Sequence, residues 1–481
     1  MPSRILLTLA LALSPSATAL VSAQQTQLAR LEVLRHTPSR NALGVAQSSA
    51  IRLTFSQPLS ATSVNAQSVR VFGRFSGAHA GTIQLSSGRH VVSFTPEHPF
   101  SPGELVQVTL SRTLESDLGQ HLARGYAWSF WTDSRTGAGT YTQTGTLFPG
   151  DTPYGVHGGD IDADGDLDLC IPNEGTSDVS VYLNQGGGTF GPETTYAVGF
   201  HCSANAAADF DQDGDVDLVV ANILDDDLSV LRGNGNGTFQ PQLRHASGAE
   251  PRGVAVLDVD ADGDTDFVSA NRVTSDLSLF RNGGAGTFAP ESRFNGGLNR
   301  ETGVGAADMD GDGTMDLVVI GYSSHDAAVL RGDGRGAFLP LTPRALDGSG
   351  PWKLALGDVN GDGFVDLAAA CSNSDEASLV LGDGAGGLLP ATTYATGSFP
   401  IAIELGDLNG DELLDLAVSC YGQDFDLYKN LGAGVMGNRT VLTAPSAASC
   451  LTLHDRDGDG DIDVTAVDEL ADRVLLFRQD G

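Results

Sequence analysis

Closely spaced aspartates are the side-chain pattern in this sequence that most clearly predicts chemistry. The first such segment runs Asp160-Ile-Asp162-Ala-Asp164-Gly165-Asp-Leu-Asp168, which puts carboxylates at its positions 1, 3, 5 and 9. Calcium takes about six to eight oxygen ligands of this hard type, and position 7 can add a backbone carbonyl. Four carboxylates in one short loop repel each other unless a cation lies between them. The segment therefore predicts a calcium loop, with a solvated turn as the alternative.

The same segment occurs seven times, at spacings of 48 to 50 residues. Glycine at position 6 permits the sharp turn that brings the alternating side chains together. The predicted metal ligands, copy by copy, are Asp160, Asp162, Asp164 and Asp168; Asp209, Asp211, Asp213 and Asp217; Asp258, Asp260, Asp262 and Asp266; Asp308, Asp310, Asp312 and Asp316; Asp358, Asn360, Asp362 and Asp366; Asp407, Asn409, Asp411 and Asp415; Asp455, Asp457, Asp459 and Asp463. We expect up to seven structural Ca²⁺ ions. The weakest site is expected in copy six, where Glu412 replaces the glycine.

Each copy is surrounded by the same strand-like segments. Small and β-branched residues precede it, an apolar run follows it, and two further runs are separated by Gly-rich turns. Four antiparallel strands in about 49 residues are typical of one propeller blade. The seventh copy ends before its fourth strand, and a matching segment at Ala138–Tyr141 precedes copy one. We therefore predict a seven-bladed β-propeller over 138–481, closed by an N-terminal outer strand.

The repeated segment resembles a known family. The pattern D-x-[DN]-x-D-G-x-x-D-L with a following Gly-rich turn and Thr-Phe is similar to the FG-GAP/VCBS repeat, as in the integrin α-subunit propeller. An EF-hand is excluded because Ile171 stands where a bidentate glutamate is needed. The resemblance implies a Ca²⁺-binding propeller. It leaves function open, since members include adhesion proteins, lectins, polysaccharide lyases and lipase-associated domains.

Residues 24–134 lack the repeat and show period-2 apolar alternation, for example at Ile51/Leu53/Phe55 and Val106/Val108/Leu110. Further candidate strands are Leu31–Leu34, Val69–Phe72, Thr82–Leu85, Val91–Phe94 and Tyr126/Trp128/Phe130. About seven short strands predict an Ig-like β-sandwich. The closing Trp128-Ser-Phe-Trp-Thr segment resembles the bacterial Ig-like domain of S-layer type, which implies a spacer or surface-association module. Ser134–Gly137 is interpreted as a linker.

The N-terminus has the pattern of a secretory signal peptide. Arg4 precedes the apolar run Ile5–Leu13, and Val21-Ser-Ala23 forms a small-residue cleavage site. We predict cleavage after Ala23, which makes residues 1–23 the signal peptide and the mature protein secreted or cell-surface. No later apolar run is long enough to span a membrane.

The charge balance limits the possible partners. The chain has 27 basic and 61 acidic side chains and a formal net charge of −34. Nucleic acids and anionic membranes attract basic surfaces, so neither is expected to bind. We expect a monomer whose partner is an extracellular glycan or a surface protein.

Five cysteines leave the redox state open. In blade geometry Cys420 and Cys450 lie near the same propeller face in neighbouring blades, and Cys170 and Cys202 are a similar pair. Both pairs are disulfide candidates in an exported protein. Cys371 would remain unpaired. The alternative is five buried thiols that act as small hydrophobic residues.

The sequence predicts no catalytic residues. It contains no G-x-S-x-G, H-E-x-x-H or C-x-x-C motif and no phosphate-binding Gly-rich loop. Polar residues of the predicted inner strands are His157, Asn205, Glu404 and His454. They can line the axial channel, and nothing separates Glu404 from the structural acids.

A binding site is predicted on the face opposite the aspartate loops. Six residues before each copy, the chain carries Tyr154, Ser203, Arg252, Thr302, Trp352, Ile401 and Ser449. Aromatic and arginine side chains are favoured recognition anchors, which singles out Tyr154, Arg252 and Trp352. Trp352 can stack on a sugar ring, or it can pack between blades.

These features predict an all-β, exported, calcium-stabilised recognition or adhesion protein. It would bind a glycan or protein partner through the propeller rim. The alternative is an extracellular polysaccharide-degrading lyase or hydrolase that uses the channel end. A passive envelope component is a third possibility.

Overall fold

The computed structural model describes residues 30–481. The predicted signal peptide and its cleavage site lie outside these residues. Within them the regular elements are β strands, apart from one 3-10 turn at Glu469–Ala471. None of the described residues forms a helix long and apolar enough to cross a membrane. The expectation of an all-β protein is confirmed for this part of the chain.

The N-terminal unit consists of two four-stranded antiparallel sheets. The first has the order β1 Val33–Thr37, β2 Ile51–Phe55, β6 Val91–Pro96 and β5 Gly81–Leu85. The second has the order β4 Gly77–Ala78, β3 Val69–Gly73, β7 Leu105–Leu110 and β8 Tyr126–Trp131.

One hydrophobic core joins the two sheets of the N-terminal unit. Alternate residues of β2 and β7 are buried, and they pack with the fully buried Trp128 and Phe130 of β8. The strands lie close to the predicted ones, because burial of every second side chain produces an apolar–polar alternation that can be recognised in the sequence. The first strand is an exception, since it begins at Val33 whereas Leu31 forms only an isolated bridge with Leu122.

The remainder of the chain forms seven sheets, each built on four neighbouring strands that follow the sequence order, except that the last strand of the seventh sheet comes from the start of the repeat region. The first strands are β10 His157–Gly159, β14 Cys202–Ala208, β18 Pro251–Leu257, β22 Glu301–Ala307, β27 Pro351–Gly357, β31 Pro400–Gly406 and β35 Ala448–His454. The second strands are β11 Asp168–Asn173, β15 Asp217–Asn222, β19 Asp266–Asn271, β23 Asp316–Gly321, β28 Asp366–Cys371, β32 Asp415–Cys420 and β36 Asp463–Asp468.

The outer two strands of each sheet follow the same order. The third strands are β12 Asp178–Tyr182, β16 Asp227–Leu231, β20 Asp276–Phe280, β24 Asp326–Gly332, β29 Glu376–Gly382, β33 Asp424–Asn430 and β37 Arg473–Gln479. The fourth strands are β13 Thr194–Ala197, β17 Leu243–Ala246, β21 Ser292–Phe294, β25 Phe338–Pro340, β30 Leu388–Ala395, β34 Met436–Thr443 and, in the seventh sheet, β9 Tyr141–Leu147. A short extra strand, β26 Arg344–Ala345, also pairs with β24.

The seventh sheet takes its outer strand from the start of the repeat region. Strand β9 pairs antiparallel with β37, from Tyr141 opposite Gln479 to Leu147 opposite Val474. The sequence placed this strand at Ala138–Tyr141, but the paired residues begin at Tyr141. The preceding residues instead meet the C-terminus through the Ala138 N–H, which donates to the Asp480 carbonyl at 3.1 Å.

The first strands pack side by side. Each first strand contacts that of the next sheet, and β10 contacts both β14 and β35. Small residues are required where two first strands approach each other. A Cβ added to Gly253 would lie 2.8 Å from the Cα of Gly303. This close approach explains the small residues that the sequence shows ahead of the aspartate segments.

The N-terminal unit sits on the aspartate loops. The Asp160 N–H donates to the Phe75 carbonyl at 2.9 Å, and the Ala127 N–H donates to the Gly313 carbonyl at 2.7 Å. Arg40 and Arg70 reach the first aspartates of two other loops. Contacts of this kind involve all seven loops, through Asp160, Asp209, Ala261, Asp308, Gly363, Gly410 and Gly460.

The segment Ser134–Gly137 also belongs to this interface. Arg135 donates its N–H to the Gly460 carbonyl at 2.7 Å, and its guanidinium lies 3.0 Å from Asp461. The interpretation of this segment as a plain linker is therefore incomplete, because it is bonded to the seventh loop.

Candidate functional site

The first aspartate of each loop organises the backbone around it. In the first loop the Asp160 carboxylate accepts the N–H groups of Asp164 at 3.1 Å and Gly165 at 3.2 Å. The same arrangement recurs in later copies, where the Asp258 carboxylate accepts the Gly263 N–H at 2.9 Å. These bonds hold the chain in the tight turn that gathers the alternating carboxylates.

The sixth position of each loop has a left-handed backbone. At Gly263 φ is 101°, a conformation that glycine adopts without steric strain. In the sixth loop Glu412 occupies this position with φ of 63°. A residue with a Cβ is strained there, which agrees with the expectation that this loop departs most from the others.

The aspartate at position 9 of each loop has a role that the sequence analysis missed. The two oxygens of Asp168 accept the N–H groups of Ile161 at 2.9 Å and Asn184 at 2.8 Å. This carboxylate therefore ties the loop to the end of the third strand. In every other copy the aspartate at position 9 likewise accepts a backbone N–H group from the end of the third strand. These aspartates are Asp217, Asp266, Asp316, Asp366, Asp415 and Asp463. A sequence signal existed, since this aspartate always opens the second strand.

Carboxylate oxygens converge in five of the loops to within 4.8 Å of one another. The groups are Asp160, Asp162 and Asp168; Asp209, Asp211 and Asp213; Asp258, Asp260 and Asp262; Asp308, Asp310 and Asp316; Asp455, Asp457 and Asp459. These groups can each hold a metal ion. The fifth and sixth loops have asparagine at position 3, so they contain fewer carboxylates.

The loop carboxylates fit a cation because several of their oxygens are buried without a partner. One oxygen each of Asp162, Asp209, Asp211, Asp258 and Asp260 is buried and accepts no hydrogen bond. Burial is the main cause that raises the pKa of Asp258 to about 7, and the neighbouring aspartates raise it further. A bound cation would satisfy these oxygens and favour their ionised form.

The sixth loop already contains a positive charge. The Lys429 ammonium donates to Asn409 Oδ1 at 3.2 Å and lies 3.2 Å from Asp411. Two predicted ligands of that loop are thus engaged by a side chain of the same blade. Cations at the end of the third strand also lie near loops two to four, where Arg232, Arg281 and Arg331 are 3.9, 3.9 and 3.3 Å from Asp211, Asp260 and Asp310. The sixth loop differs from these in combining such a cation with Asn409 and the left-handed Glu412.

The end of the channel beside the loops is covered by the N-terminal unit. Arg74 Nη2 donates to Glu404 Oε1 at 2.5 Å, and the Phe75 ring lies 5.9 Å from that of His454. Burial, and secondly the Arg74 charge, lower the pKa of His157 to about 3. Of the polar channel residues singled out from the sequence, His454 is buried, and His157, Asn205 and Glu404 are partly buried. The side-chain amide nitrogen of Asn205 has no hydrogen-bond partner.

The three predicted ligand-binding residues meet at the opposite end, which we call the mouth. Trp352 Nε1 donates to the hydroxyl of Tyr154 at 2.5 Å, and the Arg252 guanidinium lies 5.1 Å from the Trp352 ring centre. They come from the first, third and fifth sheets. The Arg272 guanidinium lies 5.4 Å from the same ring. Guanidinium groups therefore contact the indole for which the sequence left two roles open, stacking on a sugar ring or packing between blades.

A second ring of mouth residues was missed from the sequence. It consists of the residue that follows each second strand: Glu174, Ile223, Arg272, Tyr322, Ser372, Tyr421 and Glu469. The antiparallel register explains its position, since the end of each second strand lies beside the start of the first, as in Pro251 opposite Asn271. The same spacing of 48 to 50 residues was the available signal.

Two carboxyl groups of the second ring are buried near each other. Glu174 lies 3.0 Å from His201 Nε2, and the Tyr421 hydroxyl donates to Glu469 Oε1 at 3.0 Å. Burial, followed by the nearby Glu469, raises the pKa of Glu174 to about 8. Burial and then the Arg252 charge lower the pKa of His201. Both pKa shifts favour the uncharged forms of the two groups, a carboxylic acid beside a neutral imidazole.

The disulfide candidates are not bonded. All five cysteines are buried free thiols, so the predicted pairs Cys170–Cys202 and Cys420–Cys450 are wrong for this structure. Cys202 donates to the backbone carbonyl of Asn173 at 3.2 Å. Burial raises the pKa of Cys170 and Cys202, which keeps both as thiols.

A polar network within the sheets explains two of the free cysteines. In the first three sheets the second strand ends in an asparagine, as at Asn173, which donates to Asp178 at 2.7 Å and Ser180 at 2.7 Å. Cys371 and Cys420 stand at the corresponding position of the fifth and sixth sheets. Cys420 donates to the Asp426 carboxylate at 3.5 Å. These thiols therefore replace an internal amide, and they point into their own sheet.

Comparison with known proteins identifies both parts of the chain. A family model described as FG-GAP-like repeat matches residues 160–220, 209–269, 258–319, 308–369 and 358–418. A model described as bacterial Ig-like domain matches residues 28–132. No curated protein matches the sequence.

Solved structures with a similar fold are β-propellers. A chain of the crystal structure of BBS1N in complex with ARL6DN superposes with a TM-score of 0.51 at 13% identity, covering 70% of this chain and 97% of that chain. A lectin from Agrocybe aegerita that recognises non-reducing terminal N-acetylglucosamine gives a TM-score of 0.43 at 18% identity, covering 79% and 90%. The repeat region is thus a β-propeller.

Proposed function

The chain belongs to the FG-GAP-like repeat proteins, and we propose that it is an exported, calcium-stabilised recognition protein. Its propeller would be a closed ring of seven blades, and its N-terminal unit an Ig-like sandwich of the type found in surface-layer proteins. The seven sheets, the β9–β37 pairing and the contacts of β10 with both β14 and β35 support this architecture.

The observation that carries the proposal is the convergence of Tyr154, Arg252 and Trp352 at the mouth. Residues from three separate sheets meet there only if the propeller positions them. The N-terminal unit covers the other end, so the mouth is the end of the channel that a partner can approach. A glycan or a surface protein is the proposed partner, and adhesion to it the proposed role.

Calcium is the proposed occupant of the aspartate loops. The donors are carboxylate oxygens, which suit Ca²⁺, and the buried unpartnered oxygens described above need a cation. A cavity of about 590 Å³ between the N-terminal unit and the first two loops is lined by Asp160, Asp164 and Asp215. This opening gives an ion a route to the first loop while the N-terminal unit stays in place.

The docked N-terminal unit changes the role expected for it. A free spacer would leave the loops exposed, whereas here its strands and its arginines bond to the loops. We propose that it closes one end of the propeller and directs binding to the mouth, and that any surface anchoring is a second role.

Polysaccharide degradation is the second candidate function. Its support is the buried Glu174 and Glu469 pair beside His201, because a carboxyl group with a raised pKa suits a general acid. Glu404 is a poorer candidate, since Arg74 bonds to it and covers it.

Native affinity electrophoresis tests both functions. The mature chain would be run in Ca²⁺ through gels that contain different polysaccharides, and the polysaccharide would then be sized. Retardation without shortening supports recognition. If the Trp352→Ala variant still shortens the polysaccharide and the Glu174→Gln variant does not, the enzyme function is supported. No retardation by any polysaccharide would contradict glycan recognition and leave a protein partner to be tested with surface extracts.

A further inference from the structure

The mouth concentrates positive charge in a strongly acidic chain. Arg252, Arg272 and Lys353 all reach it, although the chain has only 27 basic residues against 61 acidic ones. Lys353 is one of two lysines. Its ammonium lies 3.4 Å from the sulfur of Cys450, two sheets further along, so the side chain extends across the channel.

Arg252 is the cation that is left without a partner. Arg272 lies 2.8 Å from Glu250 and is neutralised by it. Among residues 30–481 no carboxylate lies within ion-pair distance of Arg252, and its Nε atom is buried without a hydrogen bond. Contact with the Trp352 ring orients the guanidinium plane. Such an arginine presents paired N–H donors that match a carboxylate.

The nearby carboxyl groups form no ion pair with Arg252. Glu174 lies 3.0 Å from His201 Nε2 instead, and burial raises its pKa to about 8. Glu469 accepts the Tyr421 hydroxyl at 3.0 Å, and burial raises its pKa, ahead of the opposing effects of Tyr421 and Arg252. The Arg252 guanidinium is therefore free to pair with the carboxylate of a ligand.

The mouth also contains polar side-chain atoms without a hydrogen-bond partner. Glu469 Oε2 is one, in a residue that is only 7% exposed. Ser203 Oγ, from a residue 1% exposed, is another. A sugar acid carries both a carboxylate for Arg252 and hydroxyl groups, which can donate to or accept from such atoms.

We infer that the mouth binds a uronate-type sugar acid, with Arg252 on its carboxylate, Lys353 as a second positive charge and Glu469 on its hydroxyls. This inference rests on the proposed recognition function and names its ligand class. It also assigns ligand-binding roles to Lys353 and Glu469, which the sequence analysis did not single out.

Calorimetric titration of the full chain in Ca²⁺ tests the inference. The probes are trimers of galacturonate, guluronate, mannuronate and glucuronate, each beside its methyl ester. We expect at least one acid trimer to bind and its ester to bind at least tenfold more weakly. Arg252→Gln should weaken the acid trimer at least tenfold, and Arg252→Lys by less. Arg335→Gln, which removes an exposed arginine outside the mouth, should leave binding unchanged.

The outcomes separate the inference from the proposed function. Equal binding of acid and ester, or an unaffected Arg252→Gln variant, would overturn the carboxylate site and leave glycan recognition standing. Binding of an acidic tripeptide such as acetyl-triaspartate, with no uronate bound, would overturn the sugar class. If no trimer binds, the inference is overturned, and the electrophoresis with polysaccharides then decides the proposed function separately. Melting curves of each variant check that a loss of binding is not a loss of folding.

Discussion

Arg74 Nη2 donates a 2.5 Å hydrogen bond to Glu404 Oε1, which joins the N-terminal unit to the inner strand of the sixth sheet. The turn that carries Arg74 is held by Glu104, which is buried and accepts the N–H groups of Phe75 at 2.8 Å and Ser76 at 3.0 Å. A preformed turn therefore enters the channel from the loop side. The two ends of the channel differ for this reason: one is closed within the chain, and the other carries the mouth.

Removal of calcium should destabilise the protein. Without cations, the buried loop carboxylates repel each other and keep unpartnered oxygens. At free Ca²⁺ tenfold above Kd each occupied site contributes about 1.4 kcal/mol, so several sites should shift the melting temperature markedly. Differential scanning calorimetry in Ca²⁺ and in excess EGTA measures this. An unchanged melt in EGTA would refute the stabilising role of the ions.

The sixth loop should bind calcium more tightly when its built-in charge is removed. The first and fifth sheets have Leu183 and Leu381 where the sixth has Lys429, and the second to fourth have Arg232, Arg281 and Arg331. We expect Lys429→Leu with Glu412→Gly to add one tight ion per chain, because the substitution frees two ligands and relieves the left-handed glutamate. Equilibrium dialysis gives the stoichiometry. The reciprocal Leu381→Lys should lose one ion, and unchanged counts in both variants would contradict the assignment.

Arg40 should stabilise the docked N-terminal unit mainly when calcium is absent. Its Nη2 lies 2.8 Å from Asp308, and both side chains are largely buried. Arg40→Gln should lower the free energy of unfolding by about 1–3 kcal/mol in EGTA, because a buried carboxylate loses its charged donor. The loss should be smaller in Ca²⁺, which can neutralise the same group. Urea denaturation measures both values, and equal losses for Arg40→Gln and the exposed control Arg335→Gln would contradict the prediction.

Trp352 and Tyr154 should be energetically coupled through their hydrogen bond. Trp352→Phe and Tyr154→Phe each remove it, so their destabilisations of about 1 kcal/mol should not add in the double variant. Trp352→Ala should abolish ligand capture, because Arg252 loses the ring that orients it, and it should destabilise the fold at least as much as Trp352→Phe, because it removes the same hydrogen bond and the ring contacts. Additive losses in the double-mutant cycle would show that the bond does not form in solution. Unchanged capture by Trp352→Ala would exclude this residue from the site.

Stability should depend on pH through Glu174. Its pKa is raised from 4.5 to about 8 by burial and then by Glu469, while Arg252 opposes the shift. The unfolded chain releases this proton near pH 4.5 and the folded chain only near pH 8, so the stabilisation is complete below pH 4.5 and is lost as pH rises toward 8. The facing groups are His201, Glu469 and Arg252.

The variant Glu174→Gln isolates this effect. It should remove part of the decline in unfolding free energy between pH 5 and pH 8, measured by urea denaturation in saturating Ca²⁺ so that the loops stay ionised. Glu97→Gln, at an exposed carboxyl group, should keep the decline of the unchanged protein. Parallel curves for Glu174→Gln and the unchanged protein would show that Glu174 titrates normally.

The repeat, the all-β class and the positions of the aspartate loops could all be predicted from the amino-acid sequence. These follow from local rules, since alternation such as Ile51/Leu53/Phe55 specifies a half-buried strand and a glycine such as Gly263 specifies the turn. The pairing of β9 with the seventh sheet could also be predicted, because the last repeat has no fourth strand and a matching segment precedes the first repeat.

The residues that pack against these elements could not be predicted without the folded structure. The docking of the N-terminal unit on the loops depends on contacts such as the ion pair of Arg40 with Asp308. These two residues are 268 positions apart in the chain, so no local sequence pattern predicts their contact. The choice between disulfides and buried thiols was open for the same reason, because a thiol such as Cys371 takes its partners from within its own sheet. The Glu174 and Glu469 pair likewise exists only because strands distant in the chain converge at the mouth, where burial sets their protonation.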